Sequence, residues 1–220
     1  MRLLARLPYD TVFNTVYAGL KLNLCLVAAC LPLLAALSVS GDPLAAWPFF
    51  TALAALCGPA ATAAFAAFEG LAEGEHRVGR AFWIAYRTSF RRSLGAAAVA
   101  AALVIVLAAD FQLALGGPFG ATTPMLALLI ALVVATTTAF LATGARWRVK
   151  TLLTCAYLSI RHWILSLANL AILSVLAAAV VTKPALGLFL LPAPALYVVW
   201  ANTRHLTHPQ PATPPTPLHR

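Results

Sequence analysis

The chain has 220 residues, of which 62% are hydrophobic and only 10% charged; soluble globular domains run nearer 45–50% and 25%. That excludes a soluble helical domain, which needs a polar face for water. Ala- and Leu-rich blocks without period-two alternation exclude an outer-membrane barrel. The formal charge of +9 would suit nucleic acid, but the basic residues lie between apolar blocks rather than on a polar domain.

In chain order the apolar blocks fall at about 17–39, 44–68, 93–115, 122–143, 163–182 and 184–201. Each approaches the ~20 residues that a helix needs to cross a bilayer. The expectation is an all-α membrane protein of six transmembrane helices, with residues 1–206 forming the membrane domain. Arg2 and Arg6 precede the first block, whose run is longer than a signal-peptide core and reads as a retained helix. Ser40-Gly41-Asp42-Pro43, Gly116 to Gly120 and Thr182-Lys183-Pro184 are short turn segments that leave no room for an external domain. The stretch from Thr207 to Arg220, with five prolines and no apolar period, is expected to be a disordered Pro-rich tail.

The charges orient this scheme. Thirteen of the 15 Lys and Arg flank the blocks on one side, in the N-terminal segment, at 77–92, at 146–161 and after the last block. The other side holds Lys183 alone. Short basic loops stay cytoplasmic, so both termini are expected in the cytoplasm.

Between the second and third blocks runs "HRVGRAFWIAYRTSFRRSLG", residues 76–95. On a helical wheel Phe82, Trp83, Tyr86 and Phe90 share an arc of about 100°, with Arg77, Arg80, Arg87 and Arg91 on the flank beside it. An aromatic face with a basic flank predicts a cytoplasmic amphipathic interfacial helix, its rings in the acyl boundary and its guanidinium groups on anionic lipid. Packing against the protein's own cytoplasmic ends is the alternative. Nucleic acid is not the expected partner, because two spans lie within a few residues. Residues 77–90 also echo 148–161 at an offset of 71, sharing Arg77/Arg148, Val78/Val149, Ala85/Ala156 and Tyr86/Tyr157. Two parallel repeated units are one reading of that echo; chance in a biased composition is the other.

Chemistry leaves few marks. Ionisable residues at mid-depth identify ion-coupled carriers and enzymes in the bilayer, and Glu69, Glu73, Glu75, His76, Asp110 and His162 all sit towards block ends. Cys25, Cys30, Cys57 and Cys155 form no C-x-x-C pair and read as small packing residues, outside any disulfide or zinc pattern. No catalytic, cofactor or metal constellation is expected. Asn23, Thr137 within Thr136-Thr137-Thr138, and Asn169 could line a path for a neutral solute, or hydrogen-bond between packed helices. Pro32, Gly58-Pro59 and Pro192-x-Pro194 interrupt the blocks; freed carbonyls there could build a site.

The stretch from Gly58 to Gly95 resembles the YesL-like family of integral membrane proteins, a domain of unknown function. The resemblance rests on Pro59, Thr62, Ala63, Phe82, Trp83, Tyr86, Phe90 and Leu94. Leu22-Asn23-Leu24 is similar to the family's first-helix motif, with Leu26 where tryptophan is usual. The likeness implies a bacterial inner-membrane protein linked to carbohydrate uptake and brings no established activity. Two function classes follow: a non-enzymatic accessory or regulatory protein acting on a partner such as a transporter subunit, and a small neutral-solute transporter or channel.

Cysteine introduced at Ser40 or Gly117 is expected to react with an impermeant thiol reagent in intact cells, and cysteine at Gly74 is not. Labelling at Gly74 alone would invert the orientation.

Overall fold

The computed structural model describes residues 9–75, 77–117, 120–144, 148–183, 187 and 189–207. Among them there is helix and no strand. In chain order the helices are α1 (Tyr9–Ala29), α2 (Leu31–Val39), α3 (Trp47–Ala54), α4 (Gly58–Ala72), α5 (Val78–Leu115), α6 (Thr123–Thr143), α7 (Val149–Arg161), α8 (Trp163–Thr182) and α9 (Pro192–Thr207). Proline punctuates them: Pro32, Pro48, Pro59 and Pro124 stand in the first turn of α2, α3, α4 and α6, and Pro192 opens α9. A proline there removes an N–H that has no intrahelical partner, so the start is marked without losing a bond.

Four stretches are long and apolar enough to cross a membrane: Trp47–Ala72, Val78–Leu115, Gly120–Thr143 and Trp163–Thr182. α1 from Val16 and α2 meet at a bend of 68° and make a fifth crossing if they act as one span. The first two expected blocks are therefore broken, at Cys30 and at the 3-10 turn Ala55–Cys57. The expected block 184–201 corresponds to a helix displaced along the chain, since α9 starts only at Pro192 and spans 16 residues. The expected tail beyond 207 lies outside the described residues.

The amphipathic segment 80–91 is not a separate element. It forms the opening turns of the 38-residue α5 and runs into the apolar stretch without interruption. Only Gly95 stands at the expected junction, and one glycine costs a helix interior about 1 kcal/mol, too little to end it. The echo at 148 behaves differently: Val78 and Val149 both open helices, but the second helix stops at Arg161 and restarts at Trp163. Ser166 Oγ donates to the Ser159 carbonyl across that break, at 2.9 Å.

α4 is the hub. Ala60, Ala63, Ala64, Ala67, Phe65 and Phe68 are all buried, so the helix is enclosed on several faces, by α5, α9, α6 and α1. Its alanines let the neighbours approach, and α4 against α5 is the most extensive helix contact in the fold. At the start of α4 the approach is closest: a Cβ on Gly58 would lie 2.5 Å from Ala97 Cβ and 3.1 Å from the Ser93 carbonyl oxygen. Small residues at such crossings are how membrane helices gain packing without a hydrophobic driving force. α9, though short, packs against α1, α4, α6 and α8, burying Ala193, Leu196, Val199 and Trp200.

Replacing Gly58 with leucine should lower the unfolding midpoint in detergent, by a destabilisation of about 1–3 kcal/mol for overpacking a tight crossing. Gly95, with open space where its Cβ would be, should accept alanine with no loss. Equal behaviour of the two variants would refute the crossing as the tight point.

Candidate functional site

Burial sorts the aromatics of α5. Phe82 is fully buried while Trp83 is 39% exposed, and Tyr86 and Phe90 are half-buried. The rings run up the helix in sequence: Phe82 stacks on Tyr86 at 6.1 Å, Trp83 meets Tyr86 edge-on at 5.5 Å, and Tyr86 meets Phe90 at 5.4 Å. The face beside them meets α1, where the Lys21 stem lies against Gly79. Phe82 thus belongs to the protein core and not to the acyl boundary. Burying a ring of this size among apolar neighbours is worth about 1.5–3 kcal/mol, which fastens the segment to the bundle.

Arg77, Arg80, Arg87 and Arg91 are exposed, so a basic flank does stand clear of the packed face. Arg92 is different. It is half-buried, and its Nη1 donates to the carbonyl of Gly144, the left-handed residue (φ 60°) that closes α6. An arginine on the last carbonyls of a helix satisfies acceptors that the helix cannot pair itself. His76 lies outside the described residues. Glu69, Glu73, Glu75 and His162 are exposed, and among the described residues no three His, Cys, Asp or Glu side chains cluster to hold a metal ion.

The three residues considered for a solute path lie apart, and each hydrogen-bonds within the protein. Asn23 grips the start of α9 from 170 residues away: its Oδ1 accepts the Ala193 N–H at 2.8 Å and its Nδ2 donates to the Leu190 carbonyl at 3.2 Å. The first turn of a helix leaves its N–H groups unpaired. In α9 Pro192 and Pro194 have none, and Asn23 takes the one between them. The Pro-x-Pro motif therefore begins a helix here. Asn169, buried on α8, accepts from Asn202 Nδ2 of α9 at 2.9 Å. Thr137 donates to the Val133 carbonyl of its own helix at 2.7 Å and borders a cavity of about 320 Å³ with Thr138.

A larger cavity, about 730 Å³ and partly open, lies among the α1–α2 bend, α3, α4, α6, α8 and α9. Leu26, Leu37, Trp47, Phe50, Leu173 and Leu196 give it apolar walls, and Cys30 and Cys57 reach it together. Sequence reasoning missed this pair, because 27 positions separate the two residues and no local motif joins them. The only clue was that each lies beside a proline-marked break.

No family model, curated protein or solved structure matches this chain. Four of its helical stretches are long and apolar enough to cross a membrane.

Replacing Asn23 with leucine would leave the Ala193 N–H and the Leu190 carbonyl unpaired inside the bundle, at a cost of about 1–3 kcal/mol. Thermal unfolding in detergent should fall accordingly, with faster hydrogen exchange at Ala193. Unchanged exchange there would refute the capping role.

Proposed function

We propose that this is a non-enzymatic integral membrane protein of the bacterial inner membrane, related to the YesL-like family, that assists or regulates a partner through a basic cytoplasmic face. The partner class that fits is a transporter subunit, with carbohydrate uptake as the process that the family likeness suggests. The topology proposed with it is six crossings and cytoplasmic termini.

One observation carries the reading: α5 is too long for its span. Its 38 residues at about 1.5 Å each reach about 57 Å, against a hydrocarbon core near 30 Å. The surplus is the stretch with Arg80, Arg87 and Arg91 exposed on one flank and Phe82 held in the core. A rigid basic projection of this kind suits an acidic surface on a partner, and its arginines nearest the bilayer suit anionic lipid headgroups, at about 1 kcal/mol for each near the surface. The transporter alternative draws less support. Asn23 and Asn169 hold α9 in place, and Thr137 bonds to its own helix, so these polar groups serve packing.

Affinity purification of the full chain in mild detergent is expected to recover a transporter subunit, and the Arg80→Gln, Arg87→Gln, Arg91→Gln variant to recover much less. Uptake of a neutral solute into liposomes by the purified chain alone, with no partner recovered from membranes, would favour the carrier instead.

A further inference from the structure

α7 is too short to be a crossing. Its 13 residues reach about 20 Å at about 1.5 Å each, against a hydrocarbon core of about 30 Å. It packs on α6, and the Ser166 hydroxyl on the Ser159 carbonyl ties it to α8. Among the described helices it separates apolar from polar residues most sharply. Arg92 of α5 bonds to Gly144, shortly before α7 begins, so the basic segments of α5 and α7 lie at the same end of the bundle.

At about 100° per residue that separation makes three faces. Leu152, Cys155 and Ser159 share an arc of about 60°, and it is the packed one, with Cys155 and Ser159 buried. Leu153, Tyr157 and Ile160 share a second arc of about 60°, and each of them is at least 60% exposed. Lys150, Thr154 and Arg161 stand beside that arc and are exposed too. The order around the helix is therefore Ile160 and Leu153, then Tyr157, then the cations. The same order runs outward through half a bilayer, from acyl chains, through the level where tyrosine collects, to charged headgroups.

We propose that α7 lies in the plane of the membrane interface, with Leu153 and Ile160 among acyl chains, Tyr157 at the boundary, and Lys150 and Arg161 on anionic lipid headgroups. Two observations choose lipid over a protein groove as the occupant. The exposed apolar surface continues along the chain into Trp163, Ile164 and Leu167 of α8. That helix is long and apolar enough to cross the membrane, so the lipid around α8 also meets α7. The second observation is charge. No Asp or Glu follows Asp110 in the sequence, so negative charge for the exposed Arg148, Lys150 and Arg161 comes from outside this half of the chain. An anionic leaflet supplies it. Residues 80–91, which the wheel marked as interfacial, depart from this pattern because Phe82 is buried; their echo at 148–161 meets it. The cytoplasmic side of the membrane follows from the topology proposed above, but the lie of the helix does not depend on it.

The test uses the full chain in bilayers of phosphatidylcholine, with and without phosphatidylglycerol, carrying a trace of lipid with a photoreactive diazirine in its acyl chain. Peptide mass mapping is expected to find labels at Leu153, Tyr157 and Ile160, as at Ile164 and Leu167 of α8, and little at Thr154. Labels on α8 with none on α7 overturn the proposal. So does an amine crosslink between the Lys150 side chains of two copies in membranes, which makes the face a protein interface. Hydrogen exchange over residues 150–161 is expected to slow when phosphatidylglycerol is present. That preference should fall about fivefold in each of Lys150→Gln and Arg161→Gln, equivalent to about 1 kcal/mol per basic residue near the surface. Both positions are exposed, so unfolding midpoints in detergent should stay at the wild-type value. The Arg80→Gln, Arg87→Gln, Arg91→Gln variant, which tests the α5 projection, should leave the protection of α7 unchanged, so either reading can fail alone. Exchange over α7 that ignores lipid charge, or that neither glutamine variant alters, overturns the headgroup contact.

Discussion

The fold depends on how closely α4 approaches α5. At Gly58 the helices come near enough that a single added methyl would meet Ala97 at 2.5 Å. No hydrophobic force draws helices together within lipid, so packing and internal hydrogen bonds must hold them. The alanine-rich faces of α4 and α5 make that packing possible. Four alanines on α4 are buried with Phe65 and Phe68, and α9 then lies against the same helix, its Tyr197 and Trp200 rings around Phe68 at 5.4 and 6.0 Å.

Interrupted helices create a second constraint. Every break frees backbone groups that lipid cannot satisfy, each at a cost of several kcal/mol. The protein answers three of them with a particular side chain. Asn23 serves the Ala193 N–H at the start of α9, Ser166 serves the Ser159 carbonyl at the α7–α8 break, and Arg92 serves the Gly144 carbonyl at the end of α6. Asn23 and Ser166 are thus polar side chains spent on irregular backbone. This is why they serve poorly as markers of a solute path.

The same breaks give the molecule its chemical possibilities. The 68° bend between α1 and α2 borders a cavity of about 730 Å³ that Cys30 and Cys57 both line. The opposite end of the architecture is the uninterrupted α5, where continuity carries a basic flank beyond the apolar stretch. Function is therefore sought at two places, one where helices break and one where a helix refuses to.

Much was legible in the sequence. Helical class, apolar crossings, proline-marked breaks and a basic-flanked aromatic face at 77–91 all follow from residue type and spacing, because helix period and the cost of burying charge are local properties. What local pattern could not show was which aromatic ring turns inward. The wheel put Phe82 beside Trp83 on one arc, and only the closed bundle makes Phe82 core and leaves Trp83 partly exposed. The late start of α9 and the 68° bend were likewise beyond local pattern. Asn23 could be seen as polar within a span, but its partners lie 167 and 170 positions away. Cys30 and Cys57 carry no shared motif at all. Composition and period determine that a segment is helical and apolar, since those forces act within a few residues; pairing between distant breaks exists only once the bundle has closed.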